Sequence, residues 1–447
     1  MQFKYLLPIV ITELYLFFTL VIFSFGPINY HLEEPFIFWF YIILYHVAMI
    51  VGYFFALVSS SKKKYFFKST NNNLSSFKIK ILILMSFIAF LIGHKNLSMS
   101  DTIIPYTFIS DVENGFKESA AQYAIKINKI ESYSGDKALN LIYILFAFSK
   151  IILIPVVVFY WSSFSFFQKL IAIFVSCLPV LSGVSVGTNK MIFDFVIMYG
   201  SSIFIYHISS FLKIKKKYEF KRIFILTTLI FLMLCFAIWF FGEAMLGRGG
   251  DPGYIETTSL LGHIKIDDAF RGSDENSFLS YIYVYLSNYI VQGYYGFSQA
   301  LTQDFTSTYG FGNSQFLIRQ FEWFTGVDLS QYTYQHKIDS VWNETAQWHS
   351  IYSYIANDVH FSGVVLWNFI IGFYLAKVWR SYLIHDDFYS KLLLPMFVIM
   401  IIFIPANNQI FGFLETFSTF FLLTLLWLWQ AYKVRFSQKS SEDFLNV

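Results

Sequence analysis

Residues 139–160 read LNLIYILFAFSKIILIPVVVFY, an apolar stretch with one charged residue, Lys150. About 20 consecutive apolar residues are what a helix needs to cross the hydrocarbon core of a bilayer. A lysine at that depth costs about 2.5–3.5 kcal/mol on insertion scales, so we expect Lys150 to face the bundle interior or a wet cavity. There it has a functional role or pairs with a buried carboxylate such as Glu13 or Asp194. The stretch predicts a membrane-spanning helix.

The rest of the chain has the same character. Of its 447 residues, 56% are apolar and 21% aromatic, and only 14% are charged, against about 25% charged in a soluble domain. This composition excludes soluble, disordered and disulfide-rich classes, and a net charge of +3 is too small to indicate nucleic-acid binding. The predicted fold is an all-α polytopic membrane protein with about ten spans. They are 5–25, 36–58, 79–95, 139–160, 169–186, 190–212, 222–242, 361–380, 391–409 and 411–432.

The basic residues set the orientation of these spans. They cluster in two connecting segments, 59–78 and 213–222, and such clusters mark cytoplasmic loops. Both termini are therefore predicted to be cytoplasmic. Residues 1–242 then hold seven spans and an outer loop at about 94–138, residues 243–360 form a large outer loop domain, residues 361–432 hold three more spans, and 433–447 form a tail. Within the large loop, Ser277–Leu301 is expected to be an interfacial helix or a pair of half-spans.

The sharpest local motif is Gly187-Thr188-Asn189-Lys190, at the outer turn between the fifth and sixth spans. Thr188 or Asn189 can cap the sixth span. A helix N-terminus with a lysine in its first turn is suited to binding a phosphate or diphosphate. The alternative, favoured by spacing alone, is a capped helix in which Lys190 snorkels or pairs with Asp194 one turn on.

Three arginines of the large loop are further candidates for phosphate binding. Arg248 lies in a glycine-rich opening, Gly247–Gly253, and Arg271 and Arg319 follow. Arginine can grip phosphate with two parallel hydrogen bonds. Pairing with the abundant carboxylates of the loop is the alternative for at least one of them.

The end of the large loop carries candidates for acid–base chemistry. Thr345, His349, Ser353 and Asn357 are spaced by four, which predicts one polar face of a helix leading into the eighth span. Glu344 or His349 could act as a general base there. The alternative is the wet face of an interfacial helix without catalytic function.

Common catalytic motifs are missing from the sequence. It has no glycine-rich phosphate loop, His-x-x-x-His pair or Asp-x-Asp motif. We therefore expect no metal and no cofactor, and neither ATP hydrolysis nor metal-dependent sugar-nucleotide chemistry.

Several of these features together resemble the Wzy-type O-antigen polymerases of bacterial envelopes. They are Ser182-Gly183 followed by Gly187–Lys190, the long loop after the seventh span, and Glu344–Tyr354 followed by Phe361-Ser362-Gly363. The matches cover residues 180–380. Lys190 stands where the family often has arginine, and the Arg-x10-Gly repeats of some members are missing.

The resemblance implies a reaction, a location and partners. A growing glycan would move from one undecaprenyl-diphosphate carrier onto the sugar of a second, at the periplasmic face of the bacterial inner membrane, in a fold similar to GT-C membrane glycosyltransferases. Lys190, Arg248, Arg271 and Arg319 would bind diphosphate, His349 or Glu344 would be the base, and loop tyrosines or tryptophans would stack on sugars. The implied partners are undecaprenyl-diphosphate-linked glycans, membrane lipids and a chain-length regulator.

Three other functions remain open from the sequence. The O-antigen ligase has a similar outer loop and donor substrate. A lipid-linked oligosaccharide flippase would place charges such as Lys150 along a transport path, but it predicts short loops. A glycosyltransferase that uses polyprenyl-phosphate sugars would carry its acidic residue in the first outer loop, where Glu33 and Glu34 lie.

Overall fold

The computed structural model describes residues 3–59, 74–129, 136–213, 220–250, 252–257, 264–270, 277–344 and 346–445. Most of these residues are helical. The helices are α1 (Leu7–Phe25), α2 (Pro35–Ser59), α3 (Ser76–Ser98), α4 (Phe108–Lys117), α5 (Ser119–Lys129), α6 (Lys137–Phe159), α7 (Phe166–Ser185), α8 (Lys190–Lys213), α9 (Phe220–Gly249), α10 (Tyr254–Thr257), α11 (Ser277–Ala300), α12 (Gln315–Thr325), α13 (Tyr334–Lys337), α14 (Ile351–His385), α15 (Phe388–Phe403) and α16 (Leu414–Leu445). Two short strands, β1 (Ile28–Tyr30) and β2 (Ile264–Ile266), pair antiparallel with Ile28 opposite Ile266.

Eight of the helices in the described ranges are long and apolar enough to cross a bilayer. They are α1, α2, α3, α6, α7, α8, α9 and α14. The chain is therefore an all-α polytopic membrane protein, as the sequence predicts. The ninth and tenth predicted spans correspond to α15, which has only 16 residues, and to α16. The count of ten spans stays a prediction.

Side-chain contacts define the two ends of the bundle. At one end, which we call the terminal end, Trp379 donates to the carbonyl of Lys4 and Lys377 to Ser59. At the other, which we call the loop end, β1 pairs with β2 and so ties the connection between α1 and α2 to the large loop. The amphipathic helices α4 and α5 also lie at the loop end, where they pack on α7 and α9.

Among the described helices, α2 and α14 pack along the most extensive contact. A Cβ atom placed on Gly52 would lie 2.0 Å from the carbonyl oxygen of Phe369, and one on Gly372 would lie 2.0 Å from that of Met49. Glycine at both positions lets the two backbones touch, which is how membrane helices gain packing energy when lipid is as apolar as a side chain.

Two predicted spans end differently in the structure. The prediction of a span over 391–409 is wrong at its end, because α15 ends at Phe403 and residues 404–413 form turns. Pro405 has no N–H to continue the helix. The backbone N–H of Phe411 donates to the side-chain oxygen of Asn408, which stabilises the turn. The eighth span begins earlier than predicted, at Ile351, and it is interrupted at His360 with φ 60°.

Residues 277–301 form the single continuous helix α11 and not a pair of half-spans. Its first half contacts α9, where a Cβ on Gly242 would touch Ile282. Its second half contacts α1 and α2, because Tyr294 bonds to Thr19 and Phe297 packs on Phe38. Helix α11 thus packs between α9 and the first two helices, and it also contacts α13 and α14.

Candidate functional site

A cationic site lies at the loop end, where the turn between α7 and α8 meets α5 and α9. Arg248, in the last turn of α9, donates to the carbonyl of Gly187. Its guanidinium carbon lies 3.8 Å from the ring centroid of Tyr123 on α5. Its Nε is buried and has no hydrogen-bond partner among the described residues. Arg248 therefore links α9 to α5 and to the turn between α7 and α8, and its Nε can still donate a hydrogen bond to a ligand.

Lys126 is the second cation of the site. Burial, and then the positive charges of Arg248 and Lys190, lower the pKa of the Lys126 ammonium, which places the three cations within electrostatic range. Lys126 and Arg248 have no carboxylate partner within the described ranges. Like charges held together without counterions favour binding of a multivalent anion. The sequence prediction missed Lys126 and Tyr123, because nothing in the polar helix α5 distinguishes them from surface residues.

The N-terminus of α8 completes this group of donors. Asn189 accepts the first backbone bonds of the helix, from Ile192 and Phe193. Its side chain is only 8% exposed, and neither of its polar atoms has a partner in the part of the chain described. The predicted side-chain cap is wrong, because the Thr188 hydroxyl bonds back to Gly183 instead. The first turn of α8 thus carries an uncapped partial positive charge.

Glycines allow the tight packing that positions α5. A Cβ on Gly187, which has φ 66°, would lie 2.1 Å from the carbonyl oxygen of Ser119. One on Gly115 would lie 2.0 Å from that of Val184. The first approach seats the start of α5 on the turn between α7 and α8, and the second seats α4 on the end of α7, so that Tyr123 and Lys126 lie near the N-terminus of α8.

Lys190 itself is neutralised inside the bundle. Its ammonium lies 2.7 Å from Oδ2 of Asp194, and Gln409 donates to the other oxygen of Asp194 at 2.7 Å. The structure thus has the ion pair that the spacing favours. Lys190 also lies over the ring of Phe413, 4.0 Å from its centroid.

Lys150 has a partner that the sequence did not suggest. Its ammonium donates to Glu415 at 3.1 Å and to the Tyr143 hydroxyl at 2.7 Å. The predicted partners Glu13 and Asp194 are engaged elsewhere, Glu13 with His46 at 2.6 Å. Lys150, Lys190, Asp194 and Glu415 line a common cavity of about 40 Å³. This is room for water and too little for a sugar.

Aromatic side chains form one wall of the cationic site. Tyr289 of α11 lies within electrostatic range of Arg248 and packs edge-on against Trp348, with ring centroids 4.7 Å apart. Trp348 reaches on to Phe403, at 6.3 Å. Aromatic faces beside cations are a suitable surface for a sugar attached to a phosphate.

Residues 342–350 do not form the polar helix predicted from the spacing. Helix α14 begins only at Ile351, and Thr345 lies outside the described residues. His349, Ser353 and Asn357 are each 0% exposed, so they do not form a wet face. The reason is tertiary, since Asn357 bonds to Gln335 and to the carbonyl of Gly312, and His349 lies beside Gly296 of α11.

The two candidate bases lie in different surroundings. Neither ring nitrogen of His349 has a partner among the described residues, and burial lowers the pKa of its imidazole to about 3. The half-buried Glu344 pairs with Nδ1 of His336 at 3.1 Å. Glu344 is the more accessible of the two.

Of the remaining arginines, Arg319 is exposed on α12 and lies within electrostatic range of Tyr354, as Glu344 does. Arg271 lies outside the described residues. The structure therefore brings Arg248 together with Lys190 and places Arg319 with Glu344.

Comparison with known proteins found no relative, because no family model, no curated protein and no solved structure matches the chain.

Proposed function

We propose that this chain polymerises undecaprenyl-diphosphate-linked oligosaccharide repeat units into O-antigen or a similar surface polysaccharide. The enzyme is a membrane glycosyltransferase of the bacterial inner membrane that needs neither nucleotide nor metal. With the ten spans that the sequence predicts, both termini would lie in the cytoplasm and the loop end would face the periplasm. The resemblance to Wzy-type polymerases motivates this proposal, and one observation carries it. Arg248 and Lys126, without carboxylate partners among the described residues, converge on the uncapped N-terminus of α8.

The chemistry requires such a site. The bond between the anomeric carbon of the growing glycan and the diphosphate oxygen breaks, and the carbon bonds to a hydroxyl of the acceptor sugar. The leaving diphosphate takes the bonding electron pair and gains negative charge. Fixed cations and helix N–H groups stabilise that charge as it develops. Arg248 presents a planar fork to the phosphate oxygens, and Lys126 supplies a second charge.

The proton of the acceptor hydroxyl goes to a base. Between the two candidates we favour Glu344, because His349 is fully buried and its low pKa makes it a weak base. Glu344 precedes Trp348 by four residues, so its backbone lies within about 14 Å of that aromatic side chain. Arg319 and Tyr354 border the same region and could hold the acceptor.

The aromatic wall fits the sugar of the donor. Tyr289 and Trp348 offer ring faces and edges next to Arg248, where the first sugar after the diphosphate would lie. Such stacking holds a sugar without specifying every hydroxyl.

Deletion of the gene in its host tests the proposal. Extracted lipopolysaccharide, separated on a gel, should collapse from a ladder to core plus a single repeat unit, and the wild-type gene should restore the ladder. Loss of every O-antigen band, with long polymer still on the lipid carrier, would identify a ligase. Unflipped carrier-linked single units would identify a flippase, and an unchanged ladder would contradict the O-antigen function.

A further inference from the structure

Helix α4 contacts three of the candidate spans at the loop end. At its start, the ring of Phe108 packs edge-on against His94 of α3, with centroids 4.9 Å apart. Its inner side packs on the end of α7. At its end, the ring of Phe116 lies 6.0 Å from that of Phe240 on α9. A helix of ten residues that meets α3, α7 and α9 in this way lies across the spans and not along them.

These contacts place α4 below the ends of the spans. On α3, His94 precedes the last helical residue, Ser98, by four positions, or about 6 Å along the axis. On α9, Phe240 precedes the last residue, Gly249, by nine positions, or about 14 Å. Helices that lie on a membrane bury their apolar side about 5–10 Å into the boundary between headgroups and acyl chains. The position of α4 relative to the helix ends matches that depth.

The sequence of α4 gives it two unlike flanks beside the side that packs on α7. Ile109 and Phe116 are seven positions apart, close to two turns, so they share one flank. They are 84% and 46% exposed, and Tyr106 just before the helix is 80% exposed. We call these three residues the apolar flank. Asp111 and Asn114 fall on the opposite flank of a helix with about 3.6 residues per turn, and Asn114 is exposed there.

The apolar flank continues the exposed surface of α9. The ring of Phe116 lies 6.4 Å from that of Phe236, which is itself 39% exposed. Helix α9 is long and apolar enough to span a bilayer, and Phe231 farther along it is 61% exposed. The acyl chains that surround α9 therefore reach the apolar flank of α4 without a break in the surface.

We infer that α4 is an in-plane membrane anchor, whose apolar flank inserts among the acyl chains of the leaflet at the loop end while its polar flank faces water. Part of the segment 94–138, which the sequence assigns to an outer loop, then lies in the bilayer. Helix α5 follows α4 directly, and its Tyr123 stacks on Arg248. Anchoring α4 thus fixes the height of the cationic site relative to the lipid headgroups. The inference does not depend on the reaction proposed above.

Spin labelling of the full chain in phosphatidylcholine vesicles tests the inference. Cys177 and Cys235 are replaced by alanine, and a nitroxide is attached to Ile109→Cys or to Asn114→Cys. Oxygen concentrates among acyl chains, whereas a nickel chelate stays in water. At position 109 oxygen should relax the label more than nickel does, as at the lipid reference Phe231→Cys. At position 114 the order should be reversed.

Nickel access at both positions would place α4 in water and overturn the inference. Exclusion of both reagents from position 109 would overturn it too, because protein would then cover the apolar flank; dipolar broadening between labels would identify a second copy of the chain.

The unmodified chain provides a second measurement that needs no variant to fold. A phospholipid with a diazirine in the middle of its acyl chain is illuminated in the same vesicles, and the labelled residues are mapped by mass spectrometry. Labels should appear on Ile109 and Phe116 and spare Asn114. Labels on Phe231 of α9 without any on Ile109 or Phe116 would contradict the anchor.

Discussion

Arg248 lies flat on Tyr123, with its guanidinium carbon 3.8 Å from the ring centroid. The contact joins the end of α9 to α5, an amphipathic helix at the loop end of the bundle. It orients the guanidinium next to the N-terminus of α8 while leaving Nε without a hydrogen-bond partner among the described residues. A cation fixed in this way needs little reorganisation to bind an anion, which is the property expected of a leaving-group site.

Arg248→Lys should lower the polymerisation rate by about 10²-fold, the size seen when one charge-stabilising donor is lost. Lysine keeps the charge but loses the planar fork and the stacking on Tyr123. Lys126→Ala should act in the same direction with a smaller effect. Product formation by the purified variants measures both. Lys117→Ala is the matched control, since Lys117 is exposed on α4 and pairs with Glu113. Unchanged rates in Arg248→Lys would exclude the cationic site from the reaction.

Lys190 and Asp194 should behave as a structural pair. Removing either partner leaves a charge uncompensated inside the bundle, which costs about 3–5 kcal/mol, whereas replacing both with apolar residues is often neutral. Lys190→Met and Asp194→Leu should each lower the thermal unfolding temperature in detergent, and the double variant should recover it together with most of the activity. A stable double variant without activity would instead assign Lys190 to the substrate, as the sequence suggested.

Lys150 and Glu415 should be coupled in the same way. Glu415→Gln removes the negative charge that pairs with the Lys150 ammonium, so we expect a lower unfolding temperature. Lys150→Met combined with Glu415→Met should restore most of it. Glu322→Gln on α12 has no such partner among the described residues and serves as the control. Additive losses in the double variant would show that the two side chains do not interact.

Gly372→Ala should impair folding of the bundle, because its Cβ would collide with the backbone of α2 at Met49. The yield of monodisperse protein and its unfolding temperature measure the effect. Gly200→Ala adds the same methyl group on α8, where its nearest neighbour would be Ile230 at an ordinary 3.6 Å, and it should be tolerated. Equal behaviour of the two variants would argue against the close contact of α2 and α14.

Stability should depend on pH through His349. Its pKa is lowered from 6.5 to about 3 by burial, so the unfolded chain binds a proton between these values that the folded chain does not. The free energy of unfolding is therefore unaffected by this group above about pH 6.5 and falls as the pH is lowered, by up to about 1.4 kcal/mol per unit. His349→Gln should reduce the loss in unfolding temperature between near pH 8 and near pH 5. His31→Gln, at an exposed site, should not; an identical pH response in all three proteins would contradict the burial of His349.

The sequence predicts the helices well and their partners poorly. The apolar run 139–160 became α6 with nearly the predicted bounds, because span length is dictated by bilayer thickness. Lys150 and Glu415 are 265 positions apart in the sequence, so no local pattern predicts that they pair. Pro405 and Asn408 are residue types that end helices, but the apolar residues around them favour a longer span.

The candidate site shows the same limits. Gly187–Lys190 and Arg248 could be singled out from spacing and residue type, and they do converge. Lys126 and Tyr123 could not, because they enter the site only when close contacts at Gly187 and Gly247 seat α5 on the turn between α7 and α8 and on α9. The polar residues around His349 in the sequence predict an exposed side chain, yet it lies buried beside Gly296 of α11.

Reconstitution tests the central claim most directly. The purified chain in proteoliposomes is supplied with undecaprenyl-diphosphate-linked repeat units and neither nucleotide nor metal, and the products are separated by size. We predict a ladder of carrier-linked polymers whose formation Arg248→Lys slows by about 10²-fold and Lys117→Ala leaves unchanged. Only single repeat units from the folded wild-type protein, or a ladder unaffected by Arg248→Lys, would contradict the account.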